Sequence, residues 1–163
     1  MDSSNAQFNM TEPQFFQFEA DFTDSLRCIP MAVRMNLDTC GIKLKLDQWN
    51  AFSDQERQQL VHLPCSTAAE SEAYRQQLKD LVWQHTQVQA SELPIDDHPA
   101  WLNLKSVPQL LQEKAEAHGL EVTVEQWRSL TPLQRFALLK LTRPSHESNN
   151  FLPALREFQL LPE

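Results

Sequence analysis

The chain has 163 residues, 41% apolar side chains and a net charge of −8, which suffices for a domain with its own core. That acidity argues against a nucleic-acid partner, which needs clustered Lys and Arg, and no apolar run approaches the ~20 residues of a membrane span. Two glycines exclude a Gly-rich phosphate loop and disfavour hairpins, while three cysteines without a CxxC pair fit a reducing compartment.

Residues 1–13 are polar and unpatterned and read as a disordered tail. They lack a charged start followed by an apolar stretch, so no secretory signal is expected and the expected location is cytoplasmic. Residues 15–22 then bring four Phe into eight positions. Phe16, Phe18 and Phe22 share a strand phase, whereas Phe15, Phe18 and Phe22 share a helix face. The stretch reads as an arm that closes the core across two halves; the competing reading is a partner-binding patch.

Residues 29–63 align without a gap on residues 107–141, at a constant offset of 78. The identities include Pro30/Pro108, Gly41/Gly119, Trp49/Trp127 and Arg57/Arg135. Each half repeats the same parts. A proline opens a helix of about three turns and a glycine ends it. Alternating segments follow, Ile42–Leu46 and Leu120–Val124, which predict a small two-stranded ribbon pairing one half with the other. A short turn carries Trp49 or Trp127, and capping boxes at Ser53–Glu56 and Thr131–Gln134 open the next helix. Trp and Arg at matched places suggest a repeated structural pair.

Thr67 and Glu70 form a further capping box that opens the longest helix, 68–86, with Ala73, Tyr74, Leu78, Leu81, Val82 and His85 near helical spacing. Its counterpart falls near 152–160. Residues 87–106, with Pro94 and Pro99, form the linker, pinned to the surface by Trp101 and Leu102. The expected fold is all-α: one compact domain over 14–163, built from two helical repeats (about 29–86 and 107–160) related by a pseudo-two-fold axis, with at most a short ribbon.

The stretch from Phe16 to Leu44, the string Leu63-Pro-Cys65 and the stretch from Leu141 to Phe158 resemble the nitrate reductase-associated protein family. The resemblance is most specific in the Cys-bearing N-terminal block. It implies a soluble accessory protein associated with active assimilatory nitrate reductase, with no catalytic residues to carry over.

Two sets of side chains are candidates for chemistry. Cys28, Cys40, His62 and Cys65 are the soft-ligand set for a metal or iron–sulfur site, the alternative function. Twelve helical residues separate Cys28 from Cys40 by up to ~18 Å, too far for one metal unless Cys28 folds back. Cys40 also precedes a helix-ending glycine, where the helix dipole disfavours a thiolate. The matched positions in the second half carry Ser106, His118, Lys140 and Arg143. Buried structural thiols are the expected reading, with no metal and no cofactor.

The second set is the polar stretch from Arg143 to Asn150. Read structurally, Ser145 or Ser148 caps the next helix and Asn150 ties the turn. Read functionally, Arg143, His146, Glu147 and Asn150 form a recognition loop on a rigid scaffold. His146 and Glu147 also make an acid–base pair, but no nucleophile or oxyanion donor accompanies them. Asp96-Asp97-His98 is a solvated linker run. The expected function is therefore non-enzymatic: contact with a protein partner, nitrate reductase on the resemblance.

Overall fold

A computed structural model describes residues 15–20, 26–144 and 146–161. The tail read over 1–13, Phe22 and Ser145 lie outside the described residues. The fold is mostly helical, with eight α-helices and one two-stranded ribbon among the described residues. These residues divide into two compact units. One holds Phe15 and residues 19–96; the other holds residues 16–18 and 97–161. The boundary falls inside the stretch read as linker.

In the first unit, α1 (Met31–Cys40) follows Pro30, whose side chain caps nothing. The missing acceptor is supplied from twelve residues upstream: the buried Glu19 carboxylate accepts the Met31 N–H at 2.7 Å. Gly41 ends the helix at φ +81°, its N–H returning to Leu37 O at 2.9 Å. A Cβ on Gly41 would also lie 2.7 Å from the Ile95 side chain and 3.0 Å from Leu93 O, so both conformation and space require glycine. Arg75 donates to Cys40 O at 3.0 Å, neutralising the helix end.

Strand β1 (Ile42–Lys43) pairs antiparallel with β2 (Ser91–Glu92), Ile42 opposite Glu92. Glu92 in turn meets Arg75 at 2.8 Å and Lys79 at 3.4 Å. Helix α2 (Leu46–Ala51) buries Trp49, whose Nε1 donates to Leu26 O at 2.7 Å. Helices α3 (Asp54–His62) and α4 (Ala68–Thr86) both open with the capping boxes that their sequences predict. Helix α4 turns Tyr74, Leu78, Leu81 and Val82 into the core with Val33, Leu37 and Trp49, while Ala73 is exposed. Gln87 ends it in the left-handed conformation.

In the second unit, α5 (Gln109–Ala117) follows Pro108, α6 (Val124–Ser129) carries the buried Trp127, and α7 (Pro132–Leu141) opens with the Thr131–Gln134 box and Pro132 at its first position. Trp127 Nε1 donates to Asn103 O at 2.7 Å. Helix α8 (Phe151–Glu157) buries Phe151, Ala154 and Leu155. Phe16 and Phe18 pack on Phe158 at 5.1 and 6.3 Å, and the Glu157 carboxylate accepts the N–H groups of Gln17 and Phe18 at 3.0 and 3.2 Å. The bounds of α6, and the first residues of α5 and α7, fall 78 positions after those of α2, α1 and α3.

The ribbon forms, but not where the alternation placed it. Residues 120–124 contain no strand; β1 pairs with 91–92 instead. The reason is a side chain. Gln112 Nε2 donates to Val122 O at 2.7 Å and Gln112 Oε1 accepts Val122 N–H at 3.3 Å. One amide thus satisfies the backbone groups that a strand would otherwise occupy.

The Trp–Arg pair is realised in one unit. Arg135 lies 5.9 Å from the Trp127 ring and donates to the carbonyls of Trp101 and Leu130. Arg57 instead pairs with Asp54, and its buried Nε has no hydrogen-bond partner. Pro132 stands at the place matching Asp54. With no carboxylate there, Arg135 turns to backbone oxygens.

Candidate functional site

The soft-ligand set comes only partly together. All three cysteines are free thiols. Cys40, at the end of α1, is buried and its Sγ lies 3.8 Å from Leu37 O. Cys65, between α3 and α4, is buried with its Sγ 3.9 Å from Asn36 O. The two thiols thus address neighbouring carbonyls of one helix turn, beside Tyr74, whose hydroxyl donates to Leu60 O at 2.7 Å. Burial, with the Cys65 sulfur adding to it, pushes the Cys40 thiol up to about 12. Burial pushes Cys65 up to about 11. Both stay protonated at neutral pH, a form that neither attacks nor ligates. Cys28 is half-buried before α1. His62 is exposed, its Nδ1 2.7 Å from Gln58 O. Among the described residues no group of three or more His, Cys, Asp or Glu is placed to hold a metal ion.

The polar loop sits between α7 and α8. Arg143 is exposed and its N–H returns to Lys140 O at 3.3 Å. Residues His146–Asn150 form a 3-10 turn that runs directly into α8. The side chains of His146 and Glu147 lie outside the described atoms. Asn150 is the N-cap residue of α8 with no side-chain cap bond. Beside the loop, Phe151 is buried beneath the Lys114 ammonium, 5.4 Å from its ring centre, and the His118 ring, 5.9 Å away.

A third feature was invisible to pattern reading. Residues 100–102 form a 3-10 turn, and the chain from Trp101 to Leu104 is fastened by its carbonyls. Arg135 Nε reaches Trp101 O at 2.6 Å, Trp127 Nε1 reaches Asn103 O at 2.7 Å, and Arg128 Nε reaches Leu104 O at 2.9 Å. Trp101 pins this segment, its ring edge-on to Phe136 at 5.0 Å. Leu102, expected to help pin it, is 54% exposed.

These features define a small, mostly helical protein in which no described helix is long and apolar enough to cross a membrane. The chain belongs to the family of conserved nitrate reductase-associated proteins, whose family model matches residues 15–158. No curated protein and no solved structure matches it.

Proposed function

We propose that the protein is a non-enzymatic accessory or assembly factor for assimilatory nitrate reductase, acting in the cytoplasm by protein–protein contact. The observation that carries this reading is the family match over residues 15–158. The state of the thiols supports contact over chemistry: the two buried ones are protonated and directed at backbone oxygens. The proposed contact is the loop bearing Arg143, His146, Glu147 and Asn150. It is held at both ends by helices, so docking costs it little conformational entropy, and Arg is favoured at the energetic centres of interfaces.

The test is co-purification. A tagged full-length chain, expressed in cells making nitrate reductase, is expected to carry the enzyme with it. Deleting the gene is expected to lower nitrite production from nitrate. Full nitrite production in the deletion strain, with no enzyme retained on the tagged chain, would dismiss the proposal.

A further inference from the structure

We propose that Leu102 and Leu104 form a docking surface, separate from the 143–150 loop, for a protein segment that presents apolar side chains flanked by carboxylates. If the function above holds, that segment belongs to nitrate reductase, and this inference rests on that reading.

The surface is built, not left over. Three anchors hold the backbone: the Trp101, Asn103 and Leu104 carbonyls each accept from a side chain of α6 or α7. The N–H groups of Leu102 and Asn103 are taken by the carbonyls of Pro99 and Ala100 at 3.0 and 3.1 Å, and Lys105 N–H donates to Asn103 Oδ1 at 2.9 Å. With the carbonyls engaged, the leucines stand outward, 54% and 41% exposed. An isolated exposed Leu is ordinary. Two of them on a segment held by Arg135, Trp127 and Arg128 are preorganised, and a preorganised apolar pair loses little freedom on binding.

The first unit shows the alternative. There the Leu26 carbonyl accepts Trp49 Nε1 by the same device, yet the Leu26 side chain is only 3% exposed and belongs to the core. The anchoring itself does not demand an outward leucine.

The rim sets the partner's chemistry. Lys105 adjoins Leu104 in sequence, and Arg128 touches its carbonyl. Both side chains are exposed, and neither joins an ion pair among the described residues. Glu125 lies one turn earlier than Arg128 on α6, and with it the three side chains still sum to one positive charge. A segment with carboxylates beside its apolar side chains complements it, and charge at a rim acts mainly on association rate and salt dependence.

Titrating full-length protein onto immobilised, purified nitrate reductase tests this. Leu102→Ser with Leu104→Ser is expected to weaken binding at least tenfold, and Lys105→Glu several-fold, with wild-type affinity falling as salt rises. Thermal unfolding is expected to be unchanged, and Leu102→Ser alone serves as the milder variant should the pair unfold. If wild type binds and the serine variants bind equally, this surface is wrong and the functional reading stands. If wild type does not bind, both fall. Binding that ignores salt and Lys105→Glu overturns the carboxylate-bearing partner. A wild-type dimer that the serine variants dissociate, seen by light scattering, overturns it in favour of self-association.

Discussion

The carboxylate of Glu19 caps the helix that begins at Met31, doing for Pro30 what that residue's own side chain cannot. The bond is buried, so no water stands ready to replace it when the carboxyl is removed. Glu19→Ala is expected to lower unfolding stability by about 1–3 kcal/mol, the cost of an unpaired buried N–H. Glu19→Gln, which keeps an acceptor oxygen, is expected to cost less. Urea denaturation of both variants checks this, and equal losses would show that the charge contributes nothing.

The two indoles make parallel predictions. Trp49 and Trp127 are fully buried, and each donates to a backbone carbonyl at 2.7 Å. Replacing either by Ala is expected to cost roughly 3–5 kcal/mol. Trp→Phe removes the donor and strands a carbonyl, for about 1–3 kcal/mol. We propose that the two halves descend from one duplicated unit; on that view the two Phe variants lose similar amounts. A large loss at one site and none at the other would count against it.

The thiols should be quiet. Cys40 and Cys65 are expected to react slowly with a thiol reagent in the native protein and at full rate once unfolded, with half-buried Cys28 reacting first. The purified protein is expected to be colourless and metal-free. Stoichiometric zinc or iron surviving dialysis would revive the ligand reading of Cys28, Cys40, His62 and Cys65.

One carboxylate makes stability depend on pH. The Ser53 N–H, with His85 second at 2.8 Å, holds Glu56 below the usual carboxylate range. The folded protein therefore binds this proton less readily than the unfolded chain. The stability it contributes is present above the ordinary carboxyl range and is lost as the pH falls through the lowered value. The gap in unfolding midpoint between wild type and Glu56→Gln is expected to be full above the ordinary carboxyl range and to narrow as the pH falls below it. A gap that persists in acid would assign the effect to packing.

For the proposed loop contact, Arg143→Ala with His146→Ala is expected to leave thermal unfolding near wild type and to lower nitrate reductase activity in cells. Full activity with intact folding would remove this loop from the site.

Local signals were readable and distant ones were not. The capping boxes at Ser53, Thr67 and Thr131 need only four residues, and all three appear as their sequences indicate. Gly41 marks a helix end that any reading of positive φ anticipates. The partner of β1 could not be found this way. Alternation shows that a segment is extended, not what it pairs with, and Gln112 gives no pattern signal that its amide will stand in for a strand. Glu19 is similarly hidden inside an aromatic run. The fastening of the Trp101–Leu104 segment by Arg135, Trp127 and Arg128 is likewise a purely three-dimensional relation.

The glutamine has a consequence in time. It organises the turn at Val122 from ten residues away, whereas Ile42 must wait for Glu92, fifty residues further along the chain. Closing a short loop is entropically cheaper and faster than closing a long one. During refolding the Val122 turn is therefore expected to gain amide protection before the Ile42 strand does. Pulse-labelled hydrogen exchange reads that order directly, and simultaneous protection of the two sites would show that one cooperative step governs both.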